Sequence, residues 1–173
     1  FLGFNVRRYG SKSLIKPSKA AVRRIRERLR TELRSLRGTN APTVIKKLNP
    51  IIRGWAMYHR HAVSAKGFQS VDHAIFQALW RWAKRRHPHK GVQWVKARYF
   101  HPIGARNWVF SGKVRGPTGQ LEAVHLFTAH SLPITRHTKI NGEANPYDPQ
   151  WEPYLEKRLA LQMAASFKGR RTL

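Results

Sequence analysis

Apolar residues recur at helical spacing through the first half of the chain. Val22, Ile25, Leu29, Leu33 and Leu36 follow at intervals of 3, 4, 4 and 3, which places them on one side of a helical wheel. Pro17-Ser18 precedes them, with Ser18 as N-cap, and Gly38 ends the run, so a helix is predicted over 18–37. A second helix, 42–62, opens on Asn40-Ala41-Pro42, a cap followed by proline in the first turn. Its apolar phase (Val44, Leu48, Ile51, Trp55, Tyr58) runs straight through Pro50, where the helix either kinks or is capped and restarts. In the third, 69–86, apolar residues from Val71 to Ala83 cover nearly half the wheel, as in a helix buried between neighbours. Trp80 and Trp82 read there as core ahead of base-stacking residues. The helix ends in Lys84-Arg85-Arg86-His87-Pro88, where cations suit the C-terminal dipole and proline forbids continuation.

Beyond Pro88 glycines and prolines punctuate short aromatic and β-branched runs. Trp94-Val95, Tyr99-Phe100, Asn107 to Phe110 and Leu121 to Thr128 read as short strands and loops. Ile134 to Pro149 reads as an extended arm and a turn. A last helix is expected from Trp151 to Phe167, with Leu155, Leu159 and Met163 along one side. The fold class is mainly α: a three-helix bundle followed by a small mixed α/β region.

Charge changes the picture most. The 173 residues hold 34 Lys+Arg against 8 Asp+Glu, a formal +26, yet 41% are hydrophobic, so the chain can bury a core. Such a surface repels itself unless something anionic lies against it, which points to RNA or DNA. From 33 to 121 the one carboxylate is Asp72, against 17 Lys+Arg. Beside the apolar arc of the first helix run Arg23, Arg26, Arg30, Arg34 and Arg37, the same spacing shifted by one. Solvated helix faces usually mix signs at i and i+4; here Glu27 and Glu32 alone interrupt, so phosphate contact is expected over plain solvation. Lys46, Arg53 and Arg60 recur every seven residues on the second helix, opposite its apolar face. Gly54 beside Trp55 would let another backbone or a sugar–phosphate approach closely.

Other classes fall away. No apolar run approaches the ~20 residues of a membrane span, and no secretory signal pattern opens the chain. Without cysteine there is no disulfide framework or thiolate zinc site. His59 and His61, like His87 and His89, are two apart with no carboxylate within ten residues. On a helix such positions diverge, so no metal site is expected. The eight acids do not cluster as two-metal chemistry requires, and no Ser–His–acid or Gly-rich phosphate motif is present. Taken alone, the chain is expected to bind rather than catalyse. Its start at Phe1, within Phe-Leu-Gly-Phe, reads as the interior of a larger protein.

Several stretches resemble a known family. Leu48-Asn49-Pro50-Ile51-Ile52-Arg53-Gly54-Trp55-Ala56-Met57-Tyr58 closely resembles the maturase-specific segment, domain X, of group II intron-encoded reverse transcriptases. Phe1-Leu2-Gly3-Phe4 resembles the strand that closes their palm. Arg85 to Gly91 with Trp94 and Tyr99-Phe100, and Arg136-His137-Thr138-Lys139-Ile140 leading to Asp148-Pro149, resemble the region C-terminal to domain X in bacterial members. The resemblance implies the end of a palm at 1–9, a three-helix thumb bundle or domain X at 10–87, and a mixed α/β DNA-binding region at 88–173. The cationic helix faces, rather than motif matches, make Arg23, Arg26, Arg30, Arg34, Arg37, Lys46, Arg53 and Arg60 the candidates for intron RNA; the resemblance of the later stretches implies target DNA at Arg85, Arg86, His87, Lys90, Arg136, His137 and Lys139. The remainder of the reverse transcriptase would carry the polymerase carboxylates, with Mg²⁺ there and in the intron RNA but not in this chain. The setting would be the bacterial cytosol or nucleoid, or an organelle, and no membrane. Composition alone fits two rivals: a stand-alone structural RNA-binding protein of a large ribonucleoprotein, and, less well, a histidine-dependent nuclease.

Overall fold

In a computed structural model, residues 2–116, 119–135 and 140–168 are described. The chain opens with a hairpin, β1 (Phe4–Tyr9) pairing antiparallel with β2 (Lys12–Pro17), Phe4 facing Pro17 and Tyr9 facing Lys12. Gly10, at φ 57°, supplies the left-handed residue that its tight turn needs. The Ser18 N–H donates to the Gly3 carbonyl at 2.8 Å, so the hairpin is tied to the start of the first helix.

That helix, α1 (Lys19–Ser35), is capped by Ser18, whose Oγ accepts from the Ala21 N–H at 3.0 Å. Ile25, Leu29 and Leu33 are buried along it, as the spacing requires. α2 (Ala41–His59) begins on Asn40, whose Oδ1 accepts from the Thr43 N–H at 3.0 Å. Pro50 lies inside α2, which neither ends nor restarts there. α3 (Ala65–Arg86) starts earlier than expected and takes Gly67 into its first turn. Packing explains this: Phe68 is buried, and its N–H donates to the Ser64 carbonyl at 2.8 Å, closing the extra turn.

The segment after Pro88 corrects one expectation. Trp94-Val95 and Tyr99 are not strand but belong to α4 (Val92–Tyr99). Val95 and Tyr99, four apart, are both buried, so the aromatic run expresses one helical face rather than a strand alternation. β3 (Phe100–Ile103), β4 (Arg106–Arg115) and β5 (Leu121–His125) then form an antiparallel sheet in that order. A 3-10 turn at Pro149–Trp151 leads into α5 (Glu152–Lys168), the expected last helix. The described residues thus hold five helices and two small antiparallel sheets, a helix-dominated mixed α/β architecture. Among them no helix is long and apolar enough to cross a membrane.

The three long helices do not close a core alone. α1 lies against both α2 and α3, and β4 and β5 also cover α2. One hydrophobic cluster joins Ile25, Leu48 and Leu79 to Val95, Phe100, Phe110, Ala129 and Leu132. The core is therefore not that of a three-helix bundle alone, because residues beyond Pro88 share it. Asn49 shows the coupling: its Nδ2 donates to the His125 carbonyl at 3.0 Å, and its Oδ1 accepts from the Phe127 N–H at 2.8 Å.

The sheet meets α2 at Gly112, where a Cβ would stand 2.7 Å from Pro42 Cδ and 3.0 Å from its backbone N. Gly112→Ala should therefore destabilise the fold by about 1–3 kcal/mol, as overpacking does. Gly54→Ala on α2 meets nothing within 4 Å and should stabilise it by about 0.5–1 kcal/mol through helix propensity. Urea unfolding of the two variants beside the wild type checks both signs.

Candidate nucleic-acid interface

The segment that follows α1 is held on α3 by bonds to its carbonyls. Trp82 Nε1 donates to the Leu36 carbonyl at 3.0 Å. Arg86 Nη1 donates to the carbonyls of Thr39 at 2.6 Å and Arg37 at 3.3 Å, while its guanidinium lies 5.3 Å from the centre of the Trp82 ring. A cation beside the end of α1 also meets the negative end of its dipole.

This docking sets Arg30 and Arg34 of α1, with Arg37 just past its end, across from Arg81, Arg85 and Arg86 of α3. Between them runs an open groove of about 530 Å³, floored by Leu33, Ala78 and Trp82, with no carboxylate in its walls. All six arginines are exposed at its sides. Their charges reinforce one another, so the groove attracts polyanions and gains from counter-ion release when one binds.

The structure sorts the remaining basic positions. Arg23 is exposed outside this groove and pairs with Glu27 at 3.9 Å. Arg26 is half-buried in a small cavity beside Ala74 and Ala78 of α3, its Nε buried without a partner. Lys46 is exposed on α2. Arg53, also exposed, lies 5.1 Å over the Phe127 ring. Arg60 departs from the expectation of a phosphate-facing residue: it is 7% exposed, and its Nη2 donates to Thr135 Oγ1 at 2.8 Å. It is a strut, because the chain after Leu132 folds back over the end of α2.

Arg85 and Arg86, expected at DNA, share the groove with the α1 row. His87 is half-buried and engaged, its Nε2 2.8 Å from Tyr99 OH. Burial first, then the charges of Arg86, Arg98 and Lys90, hold its pKa below the ordinary value. Lys90 is exposed over the Trp94 ring. Arg136, His137 and Lys139 lie outside the described residues. Arg81 joins the groove without having been expected there, although its interval of four to Arg85 repeats the spacing of the α1 row.

Asp72 does not neutralise the groove. Its two carboxylate oxygens accept from the Ala129 and His130 N–H groups, each at 2.8 Å. Burial raises its pKa against the pull of those bonds. His59, the last residue of α2, is buried, while His61, beyond the helix, is exposed with Nδ1 2.8 Å from the Thr135 carbonyl. Among the described residues no three His, Asp or Glu side chains are placed to hold a metal ion.

A helix-borne cationic groove with no acidic wall defines a surface for a polyanion, and comparison with known families says which kind. Residues 22–100 match the group II intron maturase-specific domain. That span contains α1 to α4, hence every arginine of the groove, and the Leu48–Tyr58 segment. The match implies a role in group II intron splicing and group II intron RNA as the partner. No curated protein matches the sequence.

His59 carries a pH dependence. Burial among Phe4, Trp55 and Tyr58, with Nδ1 unpartnered, lowers its pKa from 6.5 to about 4. Between those values the unfolded chain takes up a proton that the folded one refuses, so stability falls as pH drops from about 6.5 toward 4. His59→Phe keeps an aromatic ring without a titrating nitrogen and should flatten this limb. Urea midpoints across that range, wild type beside variant, measure it.

Proposed function

We propose that this chain is the thumb and DNA-binding part of a group II intron reverse transcriptase, and that the groove between α1 and α3 grips the intron RNA. The observation that carries this is the convergence of six arginines on one open, acid-free groove inside the maturase-specific span. Guanidinium groups neutralise phosphates and fix register without reading sequence. Contacts to 2′-hydroxyls across the wide minor groove would favour A-form geometry. Binding of this kind aids splicing by shifting the intron toward its folded population while the RNA performs the chemistry.

Arg30, Arg34, Arg37, Arg81 and Arg85 form the grip in this reading. Arg86 spans both roles, since it also closes the end of α1. Arg23, Lys46 and Arg53 extend the cationic surface outward, and Arg60 is left out because it is buried. Target DNA falls to the later part of the chain, with Arg136, His137 and Lys139 as its cations. The remainder of the reverse transcriptase would supply polymerase chemistry and its Mg²⁺. The compartment is wherever the intron is spliced, bacterial cytosol or organelle.

Replacing Arg30 and Arg34 with Glu should weaken intron RNA binding and flatten the plot of log K against log[salt]. Each lost phosphate contact removes about 0.7–0.9 from the slope. Arg23→Glu, outside the groove, should change the slope less. Filter binding over a salt series measures both, with circular dichroism as the check on folding. An unchanged slope in the folded double variant would mean that the groove is only solvated.

A further inference from the structure

A second recognition surface stands beyond the groove's Arg86 end. Trp94, on the first turn of α4, is 40% exposed although its neighbour Val95 is fully buried. Its backbone is therefore fixed while its ring stands at the surface. The His87 ring meets it edge-on, centroids 4.7 Å apart at 67°, and His87 is itself held by Tyr99 OH at 2.8 Å. The Lys90 ammonium lies 5.6 Å from the centre of the Trp94 ring, and the Lys90 N–H donates to the His87 carbonyl at 3.1 Å. Arg86, Lys90 and Arg98 all stand near enough to act on the His87 ring by their charge. Arg86 also lines the groove.

A flat, supported, partly exposed indole under the Lys90 ammonium, with Arg98 four residues on in the same helix, suits a ligand that is itself flat and anionic. We infer that Trp94, with His87, Lys90 and Arg98 around it, is a stacking platform for an unpaired nucleotide of a strand that leaves the arginine groove past Arg86. The base lies against the indole, where the Lys90 ammonium now sits, and Lys90 moves on its flexible stem to the adjoining phosphate. Stacking on an aromatic ring is tolerant of base identity. Bases within a duplex are covered by their neighbours, so an unpaired base is the one free to leave the stack and lie on the indole. The inference deepens the proposed RNA grip and rests on it: the groove neutralises phosphates, and the platform selects duplexes with a single-stranded extension.

The test uses the full chain and three fluorescently labelled probes: a blunt RNA duplex, the same duplex with an RNA overhang, and the same duplex with a DNA overhang. Wild-type protein should bind the RNA-overhang probe more tightly than the blunt one, and Trp94→Ala should weaken overhang binding roughly five- to hundred-fold, the loss expected for one stacked base. Binding to the blunt duplex, and its salt slope, should not change. Trp94→Phe should restore most of the affinity, which a general loss of packing would not allow. Equal tightening by the DNA overhang assigns the platform to any unpaired strand; tightening by RNA alone assigns it to RNA. If Trp94→Ala weakens blunt and overhang probes alike, or neither, the platform is wrong. A flattened salt slope in the Arg30/Arg34 variant, alongside an inert Trp94→Ala, would overturn the platform and leave the groove. Overhang discrimination that survives without salt-dependent duplex binding would do the reverse.

Discussion

Like-charge repulsion is the constraint within which the rest of this structure works. With 34 Lys+Arg and 8 Asp+Glu, the chain cannot hold its elements together by pairing opposite charges. The ion pair seen between Arg23 and Glu27 is exposed and spans one turn of α1, a type that adds little. Its joints are made by other means. Trp82 and Arg86 bond to backbone carbonyls at the end of α1, Asn49 bonds to a carbonyl and an N–H at the end of β5, and Arg60 reaches a threonine hydroxyl. Asp72 is engaged by two backbone N–H groups. Backbone-directed bonds need few carboxylates, and so the cations stay available to an outside partner.

The apolar side of the fold obeys the same constraint. α1 carries the buried row and the arginine row one residue apart, so packing the first necessarily aims the second. When Leu33 and Trp82 meet across the α1–α3 contact, Arg30 and Arg34 are brought opposite Arg81 and Arg85. Stability and charge presentation are thus two consequences of one helix docking. The sheet contributes from the far side of Pro88. Phe100 and Phe110 enter the same core as Leu79, and the Phe76, Trp80 and Trp108 rings pack around Phe100. The maturase-specific span, ending at residue 100, stops within this aromatic cluster rather than at the end of α3.

Much of this was legible in the residue order. The caps at Ser18 and Asn40, the three long helices, the last helix and the apolar row of α1 come from local chemistry, in which each residue's role depends on neighbours three or four positions away. The arginine row, the partner class it implies and the Leu48–Tyr58 resemblance belong to the same local level. Local pattern also misled at α4, because a short amphipathic helix rich in aromatics shares its composition with a strand. Only side-by-side packing could show that Val95 and Tyr99 face inward together.

What tertiary structure alone decided is which distant residues share a space. Arg81 joins Arg30 and Arg34 because two helices some fifty residues apart are docked by Trp82. Arg60 is lost to the surface because Thr135, seventy-five positions away, returns to it. Nothing in the sequence says what Asn49 and Asp72 bond to, yet both fix the segment from His125 to His130 against the helices. Periodicity assigns a residue to a face of its own element; it holds no information about what that face will meet. The sequence by itself therefore determined the three long helices with their dry and cationic sides, the last helix and the family resemblance, and the packing of helices against sheet decided which cations face a common groove and which are buried as struts.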